Sequence, residues 1–204
     1  MTAALEPART ALLTIDLQND FLHPDGAYGR AGQRSDAIAA LPERIGPVRA
    51  ALRAAGGQHI SAQFTLVPQP DGTPLIAPHL KALRPFLTTG DFAPGSFGHA
   101  LVDSLKDADY TIEKVAYSAF YQTRLEYILR ALDITHLIVG GIVTNGGVAS
   151  TLRDAHLRNI DTTLLTDGCA AFRSDVHEAT LLSLGTVTKQ VSCAEMRHRL
   201  EART

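Results

Sequence analysis

Apolar and polar positions along the 204-residue chain follow two alternating patterns. Short runs, apolar or β-branched at nearly every position, are separated by longer stretches with apolar residues three and four apart. That alternation marks βαβ units built around a parallel sheet. Residues 10–16 (TALLTID) read as the first strand, apolar almost throughout, as a strand covered on both faces should be. A helical stretch follows, with Pro42 suited to its first turn and Gly56-Gly57 to its end. Further strands are expected at 59–64, 110–114, 137–140, 162–166 and 186–191. Thr123 and Glu126 form a capping-box pattern opening a helix to Leu132, a helix starts near Val148, and another spans 174–184 with Gly185 as its stop. In the helix from Val148, Val148, Leu152 and Ala155 share one face, while Asp154 and Arg158 are placed to pair on another. The expected fold class is α/β: a single domain over 1–204 with six strands in a mainly parallel sheet.

One interval breaks the pattern. Between 65 and 109 the chain carries Pro68, Pro70, Pro74, Pro78, Pro85 and Pro94, with only short helical patches such as 97–106. Long irregular connections in compact domains are commonly lids or binding loops, and a surface excursion that merely packs is the alternative.

Composition narrows the function classes. Hydrophobic content of 45% and charged content of 20% are those of a globular chain. A net charge of −2 with both signs interspersed gives no electrostatic case for nucleic acid or an anionic membrane as partner. The two cysteines, Cys169 and Cys193, lack metal-type spacing and suggest a reducing compartment rather than a disulfide scaffold. The start, MTAALEPART, lacks the charged and apolar regions of a secretion signal, and no apolar run approaches the roughly 20 residues that span a bilayer. A cytoplasmic location is the expectation.

The candidate chemistry lies at strand ends. In an open parallel sheet, ligands bind beyond the carboxyl ends of the strands, where the direction of connection reverses. The first strand ends in Asp16, the third in Lys114, and the fourth runs into the glycine-rich turn 140–147, GGIVTNGG. An acid, an ammonium and backbone N–H groups at a helix N-terminus would converge there. The N–H groups around Gly146 and Gly147 would cradle a carboxylate, a carbonyl or a developing oxyanion. Alternatively, the aspartate and lysine form a buried ion pair of little consequence, and the glycines merely permit a tight crossing.

Several stretches together resemble one family. Ile15-Asp16-Leu17-Gln18-Asn19-Asp20-Phe21, Lys114 before Tyr117-Ser118-Ala119-Phe120, Gly141-Ile142-Val143-Thr144-Asn145 before Thr151-Leu152-Arg153-Asp154-Ala155, and Thr166-Asp167-Gly168-Cys169-Ala170-Ala171 are similar to the isochorismatase-like hydrolase superfamily. The resemblance covers most of the chain in the right order. It implies a Rossmann-like, three-layer α/β/α fold, a homo-oligomer (dimer or tetramer), a small-molecule substrate and no cofactor. It also implies a triad of Asp, Lys and a nucleophilic Cys, of which Asp16 and Lys114 match the first two. The family's cysteine falls at Gly147, so thioester chemistry there is excluded, since a covalent intermediate needs a side chain.

Isochorismatases of siderophore and phenazine pathways also carry glycine at this position and cleave a vinyl ether through protonation by the Asp. Their substrate-contacting Gln corresponds to Gln63. This chain departs from them at Val143, Thr144 and Asn145, and it lacks an arginine in 65–83 to meet a dianionic substrate. The resemblance further implies a non-proline cis peptide near Ile142-Val143. The metal-binding nicotinamidase branch resembles an Asp, His, His pattern that is missing here, where Gln63, Asp71 and a lone His79 stand instead, so no metal is expected. Ser150 and Thr144 lack an obvious histidine base, and the glycine spacing lacks the acidic partner of a dinucleotide fingerprint. The resulting expectation is a hydrolase without a cysteine nucleophile. Asp16 is its general acid/base, Lys114 the partner of Asp16, and Gln63, Thr144, Asn145, Gly146 and Gly147 its substrate contacts. An inactive member kept for ligand binding or assembly, or a water-activating amidase, are the alternatives.

Overall fold

The computed structural model describes residues 5–202. Their centre is β1 (Thr10–Ile15), buried at every position because strands flank both its edges and helices cover both its faces. The remaining strands are β2 (Gln58–Phe64), β3 (Tyr110–Lys114), β4 (His136–Ile142), β5 (Asp161–Ala170) and β6 (Lys189–Val191). Among the described residues they form one six-stranded sheet in the order β3-β2-β1-β4-β5-β6, and every neighbouring pair runs parallel. The chain builds outward from β1 through β2 to β3, then returns to the other side of β1 to build β4, β5 and β6. The direction of winding therefore reverses between β1 and β4, and the crevice beyond their carboxyl ends is the place for a ligand.

The helices follow in chain order. Three one-turn helices, α1 (Asn19–Leu22), α2 (Ala27–Arg30) and α3 (Asp36–Ala39), lead into α4 (Leu41–Ala54), which carries Pro42 in its first turn. After β2 come α5 (Pro78–Leu83), α6 (Leu125–Ala131), α7 (Ala149–Leu157), α8 (Ser174–Leu184) and α9 (Cys193–Glu201). Leu125, Ile128 and Leu129 of α6 and Leu152 and Ala155 of α7 pack on one face of the sheet. Ile45, Val48 and Leu52 of α4 and Met196 and Leu200 of α9 pack on the other, completing the α/β/α layering. No helix among the described residues is long and apolar enough to cross a membrane.

Several boundaries differ from the pattern-based reading. The α9 helix was not expected, because only Cys193, Met196 and Leu200 of its residues are buried in a charged sequence. Its start was nonetheless written as a capping box, with Ser192 Oγ accepting the Glu195 N–H at 3.1 Å. Strand β5 runs four residues beyond the expected 166, because its pairing with β4 shifts register between Val139 and Gly141. Gly141 has φ +119°, and a Cβ there would lie 2.2 Å from Ile15 O, so only glycine lets β4 pass β1 this closely. Strand β6 begins at Lys189 rather than 186, since the N–H groups of Val187 and Thr188 turn back to Leu184 O. The expected helical patch at 97–106 reduces to a 3-10 turn at Asp103–Leu105, and the helix of this interval is α5. Only half of the capping box at Thr123 forms. Thr123 Oγ1 accepts the Leu125 N–H at 3.1 Å, while the Glu126 carboxylate turns to Arg158 at 3.3 Å.

Candidate functional site

Three segments meet at the reversal point. Asp16 follows β1 directly in a left-handed conformation, φ +59°, which short polar side chains tolerate better than most. Its N–H continues the ladder to Ala62 O at 2.8 Å, and its carboxyl turns into the crevice. Lys114 ends β3, two strands away, and its side chain is 1% exposed. Lys114 Nζ donates to Asp16 Oδ2 at 2.8 Å and to Ala116 O at 3.1 Å, and it lies 5.4 Å from the centre of the Phe64 ring.

The Asp16 carboxyl is held above its ordinary range because burial disfavours the anion; the Lys114 charge and hydrogen bond oppose that rise without cancelling it. Asp16 Oδ1 is buried and makes no hydrogen bond with the described residues. The Phe64 N–H approaches the carboxyl but is engaged by Gln18 Oε1 at 2.7 Å. The site thus holds a carboxyl whose anion is disfavoured by burial, with Oδ1 unbonded among the described residues and Oδ2 fixed by Lys114.

The glycine-rich turn lies beside this pair. Residues Thr144–Val148 form a π-helical turn that feeds α7, and the peptide between Ile142 and Val143 is cis. A Cβ at Gly147 would lie 3.4 Å from Asp16 Oδ2, 3.0 Å from Ile142 O and 3.0 Å from Ile15 Cγ2. A side chain at 147 would therefore touch the acid, and glycine leaves that corner to a ligand. Gly147 O accepts the Thr151 hydroxyl at 2.7 Å, which in turn accepts the Ala119 N–H at 2.9 Å, so the turn is fixed from behind.

Of the other turn residues, Asn145 lines the crevice. Thr144 is fully buried with its hydroxyl on His177 Nδ1 at 2.8 Å, and it faces away from the crevice. The Gly146 N–H is donated to Val143 O at 2.9 Å, which removes it from the donors an anion could use. Gln63 also stays out of the crevice, because its Nε2 donates to His99 O at 2.7 Å.

The cavity at this point has a volume of about 500 Å³, within the range of small-molecule sites. Its walls include Phe21, Tyr28, Phe64, Phe86, Tyr117 and Phe172. Tyr28 and Phe172 stack with ring centres 5.5 Å apart and an interplanar angle of 11°. Two cations that the sequence did not single out, Arg84 and Arg173, also line it. The absence of arginine in 65–83 thus did not mean an absence of cations, since Arg84 is the next residue. No local signal marks Arg84 or the aromatic walls; they converge only when the long connection folds over the sheet.

That connection is anchored by the signature stretch after β1. Gln18 Nε2 donates to Phe64 O at 2.9 Å and His99 O at 3.0 Å, and Asn19 Nδ2 donates to Phe97 O at 2.9 Å. The buried Asp20 accepts the N–H groups of Ala27 at 2.8 Å and Phe92 at 2.6 Å. Ala27, Tyr28, Leu66, Leu87 and Phe92 then form a small apolar cluster beneath the connection.

The cysteines stand outside the crevice. Both are free and buried, and burial pushes the Cys169 thiol up to about 12 and the Cys193 thiol up as well, so neither is a ready nucleophile. No group of three His, Cys, Asp or Glu side chains among the described residues is arranged to hold a metal ion.

Comparison with known proteins matches this arrangement. Residues 10–196 match the family described as Isochorismatase domain. Ureidoacrylate amidohydrolase RutB of Methylobacterium radiotolerans is 36% identical over 201 residues, covering 93% of this chain and 78% of that protein. The protein of the same name from Yersinia enterocolitica is 38% identical over 162 residues, covering 74% and 70%. A crystal structure of a cysteine hydrolase from Pseudomonas syringae pv. phaseolicola superposes with a TM-score of 0.83 at 26% identity, covering 98% of this chain and 96% of that one.

Proposed function

The chain belongs to the isochorismatase family, and on that premise we propose that it hydrolyses a small molecule without a cysteine nucleophile, using Asp16 as general acid/base. The observation that carries this reading is the carboxyl of Asp16 in the crevice. It is held above its ordinary range by burial, has Oδ1 unengaged, and lies against a glycine where the family resemblance places a thiol.

With a vinyl ether, Asp16 gives its proton to the terminal carbon of the double bond. The electron pair on the ether oxygen stabilises the resulting oxocarbenium ion. Water adds to the oxygen-bearing carbon of that ion, the Asp16 carboxylate takes the water's proton, and the hemiketal collapses to a carbonyl compound and an alcohol. Lys114 holds the carboxylate in place while it is charged. General acid–base help of this kind contributes typically 10²–10⁴-fold.

A second reading is favoured by the relatives named ureidoacrylate amidohydrolase. There Asp16, as carboxylate, takes a proton from water attacking an amide carbonyl and returns it to the leaving nitrogen. Both readings place the same two residues at the reacting bond. The contacts through Asn145 and Gly147, the homo-oligomeric state and a reducing, cytoplasmic setting belong to this proposal too; size-exclusion chromatography with light scattering tests the oligomer.

Turnover of isochorismate, ureidoacrylate and a set of small amides by the wild type and Asp16→Asn decides between them. Hydrolysis of isochorismate that disappears in the variant supports the first reading, and hydrolysis of an amide that disappears supports the second. No turnover of any compound, with a ligand-dependent rise in Tm, identifies a binding protein instead.

A further inference from the structure

The π-helical turn Thr144–Val148 has little of its own to hold it in place. Gly146 and Gly147 at its centre lose more backbone freedom on ordering than any other residue and offer no side chain to pack. Yet the position of this turn matters. Asn145 and Gly147 line the crevice, and a Cβ at 147 would lie 3.4 Å from Asp16 Oδ2. The hold must therefore come from the two ends. At the far end Val148 is buried in one apolar cluster with Leu152, and Gly147 O accepts the Thr151 hydroxyl at 2.7 Å. At the near end it falls to Thr144, which is fully buried with its hydroxyl 2.8 Å from His177 Nδ1. The Cys169 thiol also approaches that hydroxyl, but a thiol is a weak hydrogen-bonding group, so the imidazole is the strong partner.

His177 lies in the first turn of α8, where its N–H is donated to Arg173 O at 3.1 Å. Phe172, Arg173 and Val176 of the same segment line the crevice. His177 itself lines a separate cavity with Arg44, Cys169 and Ser174, on the side of Thr144 away from the crevice. It is thus out of a substrate's reach, and its bond to Thr144 ties one wall of the crevice to the glycine-rich turn.

We propose that His177 is a positioning residue of this site: through Thr144 it holds the turn, and with it Asn145 and Gly147, in register with Asp16. The proposal rests on reading this crevice as the active site, and it gives Thr144 and His177 a task at one remove from the substrate. The requirement is geometric. A proton donor acts only on a bond within hydrogen-bond reach, and a misplacement of about 1 Å can cost on the order of 10²-fold in rate. A directional hydrogen bond fixes the start of the turn, whereas packing alone would let two glycines slide.

The test uses the thiol of Gly147→Cys as a probe of the turn. Its alkylation by iodoacetamide is followed by peptide mass spectrometry well below Tm, with the buried Cys193 as internal reference for loosening of the whole domain. Adding His177→Phe, which keeps a ring and removes the nitrogen, is expected to speed alkylation at 147 by roughly threefold or more and to leave Cys193 protected. Thr144→Val removes the same bond from its other end and should act alike, and the two together should do no more than either alone. His177→Asn places an amide where Nδ1 stands, and Thr144→Ser keeps the hydroxyl. Both should hold the rate within about twofold of the parent. With Gly147 in place, and on a compound that the wild type hydrolyses, His177→Phe should lower kcat roughly tenfold with KM within about twofold, and His177→Asn should recover most of kcat.

Alkylation unchanged in both His177→Phe and Thr144→Val overturns the proposal. An acceleration that persists in His177→Asn does so too, because the bulk of the ring and not its nitrogen would then hold the turn. Where His177→Phe exposes Cys193 as well, Thr144→Val against Thr144→Ser decides on the same criteria, and exposure of Cys193 in Thr144→Val also overturns it. A kcat untouched in a variant whose turn has loosened has the same force. Alkylation needs no turnover, so its outcome is separate from any failure of Asp16 as the acid.

Discussion

Lys114 Nζ lies 2.8 Å from Asp16 Oδ2, joining residues 98 positions apart in the chain at the reversal point of the sheet. Both side chains are buried, so each is costly without the other. Lys114→Met removes the cation and leaves a buried carboxyl whose folded-state pKa rises still further. A raised carboxyl pKa stabilises the fold at low pH and loses that contribution as pH rises through it. The variant is expected to approach wild-type stability near pH 4 and to lose about 3–5 kcal/mol by pH 8, read from urea unfolding at both values.

On the proposed mechanism the same pair sets the pH dependence of turnover. With Asp16 acting as an acid, kcat/KM should fall as pH rises through the Asp16 pKa, which burial places above the ordinary 3.8. Asp16→Asn should lower kcat by roughly 10²–10⁴ and abolish that limb. A pH profile unchanged in the variant would remove Asp16 from the mechanism.

Gly147 offers a direct test of the bare corner. In Gly147→Ala the added methyl meets Ile142 O and Ile15 Cγ2 at 3.0 Å and approaches Asp16 Oδ2 at 3.4 Å. A small stability loss of about 1–2 kcal/mol is expected, with a larger fall in kcat/KM, because the methyl occupies ligand space. Gly147→Cys should be alkylated by iodoacetamide well before Cys169 or Cys193, whose thiols are buried with raised pKa values. Equal labelling of all three by peptide mass spectrometry would contradict the placement of 147 in the crevice.

Asp20 tests the anchoring of the long connection. Asp20→Ala leaves the N–H groups of Ala27 and Phe92 without their buried acceptor. A loss of about 2–4 kcal/mol is expected, with faster amide exchange concentrated in 85–100 and slower change in β1 and β4. Uniform exchange across the sheet would show that the connection does not open separately.

His59 gives the sheet an acid limit. It is buried on β2 with Nε2 on the Thr14 hydroxyl at 2.9 Å, and burial lowers its pKa to about 4. Because the folded-state value is depressed, its contribution is fully present above pH 6.5 and is lost as pH falls towards 4. That amounts to roughly 3 kcal/mol. His136, lowered to about 4 on β4 by burial, acts in the same direction. His59→Gln should flatten the fall in Tm between pH 6.5 and 4 relative to wild type.

Much of this architecture was legible in the residues. The run TALLTID announced a strand buried on both faces, and β1 is buried throughout. Period and turn residues located β3 at Tyr110–Lys114 and α8 at Ser174–Leu184. Less legible were elements whose cause is remote. The length of β5 depends on how β4 slides past it at Gly141, and α9 shows only a narrow apolar stripe because α4 and the sheet cover one side of it alone. In the site, strand-end position brought out Asp16 and Lys114. The family resemblance suggested Gln63 and the glycine-rich turn suggested Gly146, whose polar groups turn to His99 O and Val143 O.

Local rules act over a few residues, so the sequence by itself determined the strands, the helices α4, α6, α7 and α8, and which acid and which lysine end their strands. The strand order β3-β2-β1-β4-β5-β6 then carries Asp16, Lys114 and Gly147 to one edge. Only the tertiary structure decided what faces them. Arg84, Tyr28 and Phe172 reach the cavity from three separate segments, and no spacing in the chain encodes a meeting fixed by long-range packing and by the side-chain clamps of residues 18–20.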